Sequence, residues 1–184
     1  MNINKTLILL LIFSTQSNAQ PMQERQAFSK LNPDAQLIVQ TWLNKNCGAA
    51  EQKKFEITLN QLGDVLEPVF WEAFHQGPTE QDLKTIRTEA IKRYQDRNKW
   101  LLQFGDAQMG KEETKRQLEV PEKQYVETEI SQYQERYKTA ALSGIGLIGT
   151  AQSELELKRI ANDTTDSAQI AAQETLKLIN RQAK

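Results

Sequence analysis

The chain has 184 residues, with 24 acidic and 23 basic side chains and a formal net charge of −1. Charges this balanced exclude a general nucleic-acid binder, which needs a basic excess to displace counterions. Hydrophobic residues at 39% with charged residues at 26% describe a globular chain rather than a disordered or multi-span membrane one, and a single Cys excludes an intramolecular disulfide or a thiolate zinc cluster.

Met1 to Ala19 has the pattern of a secretory signal peptide: Lys5, then the apolar run Leu7 to Phe13, then small residues at Ser17 and Ala19. The run is too short to span a bilayer. Cleavage after Ala19 leaves Gln20 first, and the expectation is an exported chain, periplasmic or secreted, with no stable membrane insertion. Residues 20–32 are a polar lead-in. A single all-helical domain is expected over 33–184, with a charged surface excursion at about 106–121.

The apolar residues recur at helical spacing, and no run alternates as a strand does. Asn32 caps a helix that has Pro33 at its first position and runs to about Asn46. A second helix starts near Ala49 and is interrupted at Gly63-Asp64. There Asp64 and Glu67 have capping-box spacing, and Pro68 is expected to kink the helix that restarts. Gly77-Pro78 stops it. Thr79 with Asp82 opens a helix expected to end at Gly105. A long helix follows from Glu122 to about Gly149, then two shorter ones over 153–161 and 167–181. Trp42, Trp71 and Trp100 are expected in the core.

Three segments, beginning at Ile86, Tyr137 and Ala168, share a template. Each has a small residue four positions on (Ala90, Ala141, Ala172) and a large apolar one eight positions on (Tyr94, Ile145, Leu176). This pattern resembles the second helix of a HEAT-type repeat, best over 137–179, where Asn162 to Asp166 would form the turn within a repeat. The resemblance implies a right-handed stack of helix pairs with a concave binding face. The third copy has Gln169 where the family favours Arg, and the copies are unequally spaced. The fold class expected is therefore all-α, either a short right-handed α-solenoid, HEAT-like in its C-terminal half, or an irregular helical bundle.

Gly144-Ile145-Gly146-Leu147-Ile148-Gly149 is a literal G-x-G-x-x-G. Dinucleotide binding needs that motif between a strand and a helix inside a parallel sheet, and no further strands are predicted here. Close helix packing is the expected role of the glycines, and no cofactor or metal is expected. Cys47 and the single His, His75, are the candidate residues of an enzyme reading. Arg87, Lys92, Arg93, Arg97 and Lys99 form a basic cluster, either a solvated salt-bridged face or a docking face.

The expected function is an exported, non-enzymatic protein- or peptide-binding or scaffolding module of the cell envelope. The HEAT-like resemblance places Arg87, Arg93, Lys138 and Gln169 along its inner edge. A small helical envelope enzyme using Cys47 or His75 is the alternative.

Overall fold

The computed structural model describes residues 21–44 and 49–182. The signal-peptide segment and Cys47 lie outside them. Among the described residues every regular element is helical. Two single 3-10 turns, Met22–Glu24 and Phe28–Lys30, precede α1 (Pro33–Leu43), α2 (Ala49–Leu62), a 3-10 turn at Gly63–Leu66, and α3 (Glu67–Gln76). Then come α4 (Glu80–Trp100), a π-helical segment Leu101–Gly105, α5 (Asp106–Met109), α6 (Lys111–Leu118), α7 (Glu122–Ile148), α8 (Ala151–Asn162) and α9 (Gln169–Gln182).

Local chemistry explains several boundaries. Asn32 Oδ1 accepts the Ala35 amide at 2.9 Å, with Pro33 in the first turn where a missing N–H costs nothing. Thr79 and Asp82 form a complete, reciprocal capping box. Gly63 adopts φ +65°, a left-handed conformation that costs Gly little, so α2 breaks there. Pro68 lies within the first two positions of α3, so it begins a helix instead of kinking one.

Other expectations are corrected. The box at Asp64 and Glu67 does not form, because no side chain caps α3. Glu67 instead accepts hydrogen bonds from Thr150 Oγ1 (2.9 Å) and Ser153 Oγ at the start of α8, and Trp71 Nε1 donates to Ser153 Oγ at 3.0 Å. The carboxylate thus answers a remote helix N-terminus, where negative charge is favoured. Gly105 does not stop α4 either. It is buried in helical conformation with its backbone against Thr114, and the break comes at Gly110, φ +85°. Trp100, expected in the core with Trp42 and Trp71, is 43% exposed.

The excursion at 106–121 folds back along α4. Tyr94 Oη donates to the Val120 carbonyl at 3.0 Å, and Arg97 Nη2 donates to the Gln117 carbonyl at 3.0 Å. The Arg97 guanidinium lies 5.1 Å from the Tyr94 ring and 4.8 Å from the Tyr125 ring, within cation–π range.

α7 is the central helix and contacts α1, α2, α3, α4 and α9. The main core gathers Val39, Trp42, Leu59, Phe70, Phe74, Tyr137, Leu142, Ile145, Leu157 and Ile160 around it. All three small template positions, Ala90, Ala141 and Ala172, are fully buried, as spacing with close neighbours requires.

The lead-in is held against this core by polar bonds. Phe28 is fully buried, and Glu72 Oε2 accepts the amides of Ala27 and Phe28 at 3.1 and 3.4 Å. Arg25 is only 1% exposed. Its Nη2 donates to the Gly77 carbonyl at 2.6 Å and its Nη1 to Tyr137 Oη at 3.3 Å, while its Nε has no hydrogen-bond partner among the described residues.

Candidate functional site

The glycines of the G-x-G-x-x-G run lie inside α7 and at its end, not in a strand-to-helix loop. Each permits a close helix approach. A Cβ on Gly144 would stand 2.6 Å from the Phe70 ring of α3. On Gly146 it would meet Thr175 Cγ2 of α9 at 2.7 Å, and on Gly149 Ile179 Cδ1 at 2.9 Å. Rising numbers on α7 thus pair with rising numbers on α9, so the two helices run side by side in the same direction.

A groove of about 700 Å³ opens between α7 and α9. One wall is the α7 row Ser131, Glu135, Lys138, Thr139 and Ser143; the other is Ile170, Ala171, Glu174 and Leu178 of α9; the end of α3, His75 to Pro78, and Leu83 of α4 complete it. Gly146 and Gly149 let α9 seat directly on α7 beside this groove.

The groove mixes aliphatic and charged groups. Ile170 is 72% exposed and supplies an apolar surface to the groove. Lys138 is half-buried. Glu135 and Glu174 stand on opposite walls, both exposed, and Glu174 accepts from Lys177 one turn along α9 at 2.6 Å. His75 is exposed and stacks on Trp71, with ring centroids 5.7 Å apart at 19°. That contact is with an aromatic ring, not with a nucleophile that His75 would activate.

Of the four residues predicted for a partner face, the groove holds Lys138. Gln169 lies just before that wall but turns its amide to the Ala161 carbonyl at 3.3 Å, closing the end of α8 alongside Gln173. Arg93 bridges Glu89 and Glu129 at 3.4 and 2.8 Å on the α4–α7 surface, and Arg87 is exposed on α4. The arginine cluster is thus at least partly a salt-bridged face. Glu135, Ile170 and Glu174 escaped the sequence reading. Ile170 is one of several apolar residues of α9, and which of them face the groove depends on where α7 lies.

On the other flank of α7, Tyr133 donates to Asn44 Oδ1 and Tyr137 receives Arg25. Burial, reinforced by the nearby Asp82 charge, pushes the Tyr133 phenol well above its usual range. Burial likewise pushes Tyr137 up to about 12, against the opposing pull of Arg25. Both phenols are stabilised neutral in the folded state. Their contribution is complete below the unfolded value near 10 and is lost as pH rises from there through the folded value. Stability is expected to fall by about 2 kcal/mol between roughly pH 10 and 12 from Tyr137 alone, at about 1.4 kcal/mol per pKa unit. Denaturant midpoints measured across that range check this, and Tyr137→Phe is expected to flatten the slope. An unchanged slope in that variant would show that other groups carry it.

Among the described residues no group of three or more His, Cys, Asp or Glu side chains is placed to hold a metal ion, and no helix is long and apolar enough to cross a membrane. Compared with models of known protein families, with curated proteins and with solved structures, the chain has no match.

Proposed function

We propose that this protein is an exported, non-enzymatic docking module of the cell envelope, which holds a protein or peptide partner in the groove between α7 and α9. The observation that carries the reading is the open, mixed groove itself: exposed Ile170 on one wall faces Lys138 and Glu135 on the other. Binding sites of this kind combine an apolar anchor with a few polar groups that fix orientation. Of the residues of the alternative enzyme reading, Cys47 lies outside the described residues and His75 is stacked on Trp71. Export rests on the Lys5, Leu7–Phe13 and Ser17-Asn18-Ala19 pattern.

The HEAT-like reading is supported in the C-terminal part alone. There a short turn folds α9 back along α8, and Ala172 is buried between α9 and its neighbours. For the rest, an irregular bundle is the better description. In a repeat stack each unit touches only the next, whereas α7 touches five other helices.

A photo-crosslinking residue at Ile170, in cells of the source organism, is expected to capture a partner that the same residue at Leu155 does not. Leu155 is similarly exposed, at 63%, but lies on α8 outside the groove. Lys138→Glu is expected to diminish the Ile170 product. Equal capture at both positions, or none at Ile170, would overturn the docking reading.

A further inference from the structure

We infer that docking of the lead-in closes the Ala19–Gln20 bond to proteolysis, so that removal of the signal peptide comes before the fold is complete; this rests on the export reading and adds the order of its steps. In the cut, water adds across the Ala19–Gln20 peptide bond and leaves a carboxylate on Ala19 and an amine on Gln20. A protease holds its substrate extended for several residues on both sides of the bond, so it needs a segment that is not tied down. Here the packed chain begins almost at the bond. Pro21, the second residue beyond it, accepts the Glu24 amide at 2.9 Å in a 3-10 turn, and Met22, the third, is 7% exposed. From Met22 onward every third residue is turned inward. Met22, Arg25 and Phe28 are buried, and Leu31 packs against the same core. That spacing matches the three-residue period of the 3-10 turns at either end of the segment. Arg25 holds the Gly77 carbonyl and Tyr137, and Glu72 holds the Ala27 and Phe28 amides. Drawing Gln20 to Met22 into a protease cleft therefore means opening the first turn and taking its first anchor out of the core. Tyr137 lies 112 residues after Arg25, so the anchors lack this partner until α7 is made, and the bond is open in that interval.

Cleavage by purified signal peptidase of the source cell, followed by mass spectrometry, tests this on three substrates. One is the full chain, folded with its signal segment attached. The second is the same chain with a flexible Gly/Ser spacer inserted between Gln20 and Pro21, which moves the bond away from the lead-in and alters no packed side chain. The third is a free peptide of residues 1–26. The peptide and the spacer chain are expected to be cut at Ala19 at similar rates, and the full chain roughly tenfold or more slowly, because its rate follows the small fraction of molecules with the lead-in open. Equal rates for the full chain and the spacer chain would overturn the inference and, with the peptide cut at Ala19, leave export standing. A peptide left uncut at Ala19 would remove the export reading, and the inference with it.

Discussion

Gly144→Leu is expected to lower stability by about 3 kcal/mol, at the upper end of what overpacking a core costs. Even the first carbon of a side chain at 144 would lie 2.6 Å from Cε2 and Cζ of Phe70. Phe70 is fully buried on α3, so its ring has nowhere to swing without disturbing Val69, Phe74 and the α3–α7 contact. Phe70→Ala alone is expected to cost about 3–5 kcal/mol, through lost burial and the cavity left behind. Combined with Gly144→Ala, the two changes are expected to cost at least about 1 kcal/mol less than their separate costs together, because the new methyl enters the space the ring vacates. Chemical denaturation of the single and double variants measures this. Additivity within about 0.5 kcal/mol would mean that the residues do not meet.

Arg25→Ala is expected to cost about 3–5 kcal/mol, while Arg25→Met costs under about 1.5 kcal/mol. The alanine variant empties the space of one of the largest fully buried side chains and leaves the Gly77 carbonyl without its donor. Methionine refills most of that space with a flexible apolar chain. It also removes a buried cation whose hydrogen-bond partners are a carbonyl and a phenol, not a carboxylate, so no partner charge is stranded. Equal losses in the two variants would show that the hydrogen bonds, not the packing, make Arg25 matter.

What the sequence revealed was local. Asn32 with Pro33, Thr79 with Asp82, and the break at Gly63 depend on residues within a turn of each other, and each is where its pattern put it. The misreadings involve partners far along the chain. Glu67 has the spacing of a cap for its own helix, yet it bonds Thr150 and Ser153, 83 and 86 residues away. Gly105 reads as a stop because its role depends on Thr114 packing against it. Trp100 is a large ring expected in the core, but the fold leaves it 43% exposed. The site follows the same division. Lys138 was visible as a polar residue beside a buried stripe, while Glu135, Ile170 and Glu174 gain meaning only when α9 is laid along α7. Arg25 had no signal at all, since a basic residue in a polar segment gives no hint of burial.

The lead-in also sets the order in which this chain can fold. The Arg25–Tyr137 bond joins residues 112 positions apart, and the bond from Trp42 to the Ala140 carbonyl spans 98. Closing loops of that length costs entropy before any contact rewards it, and such topologies fold more slowly than those built from local pairs. While a ribosome is still making the first two-thirds of the chain, α7 does not yet exist. Arg25, Phe28 and Trp42 then lack the surface that buries them. The contacts that bury the N-terminal part therefore form only once α7 is complete.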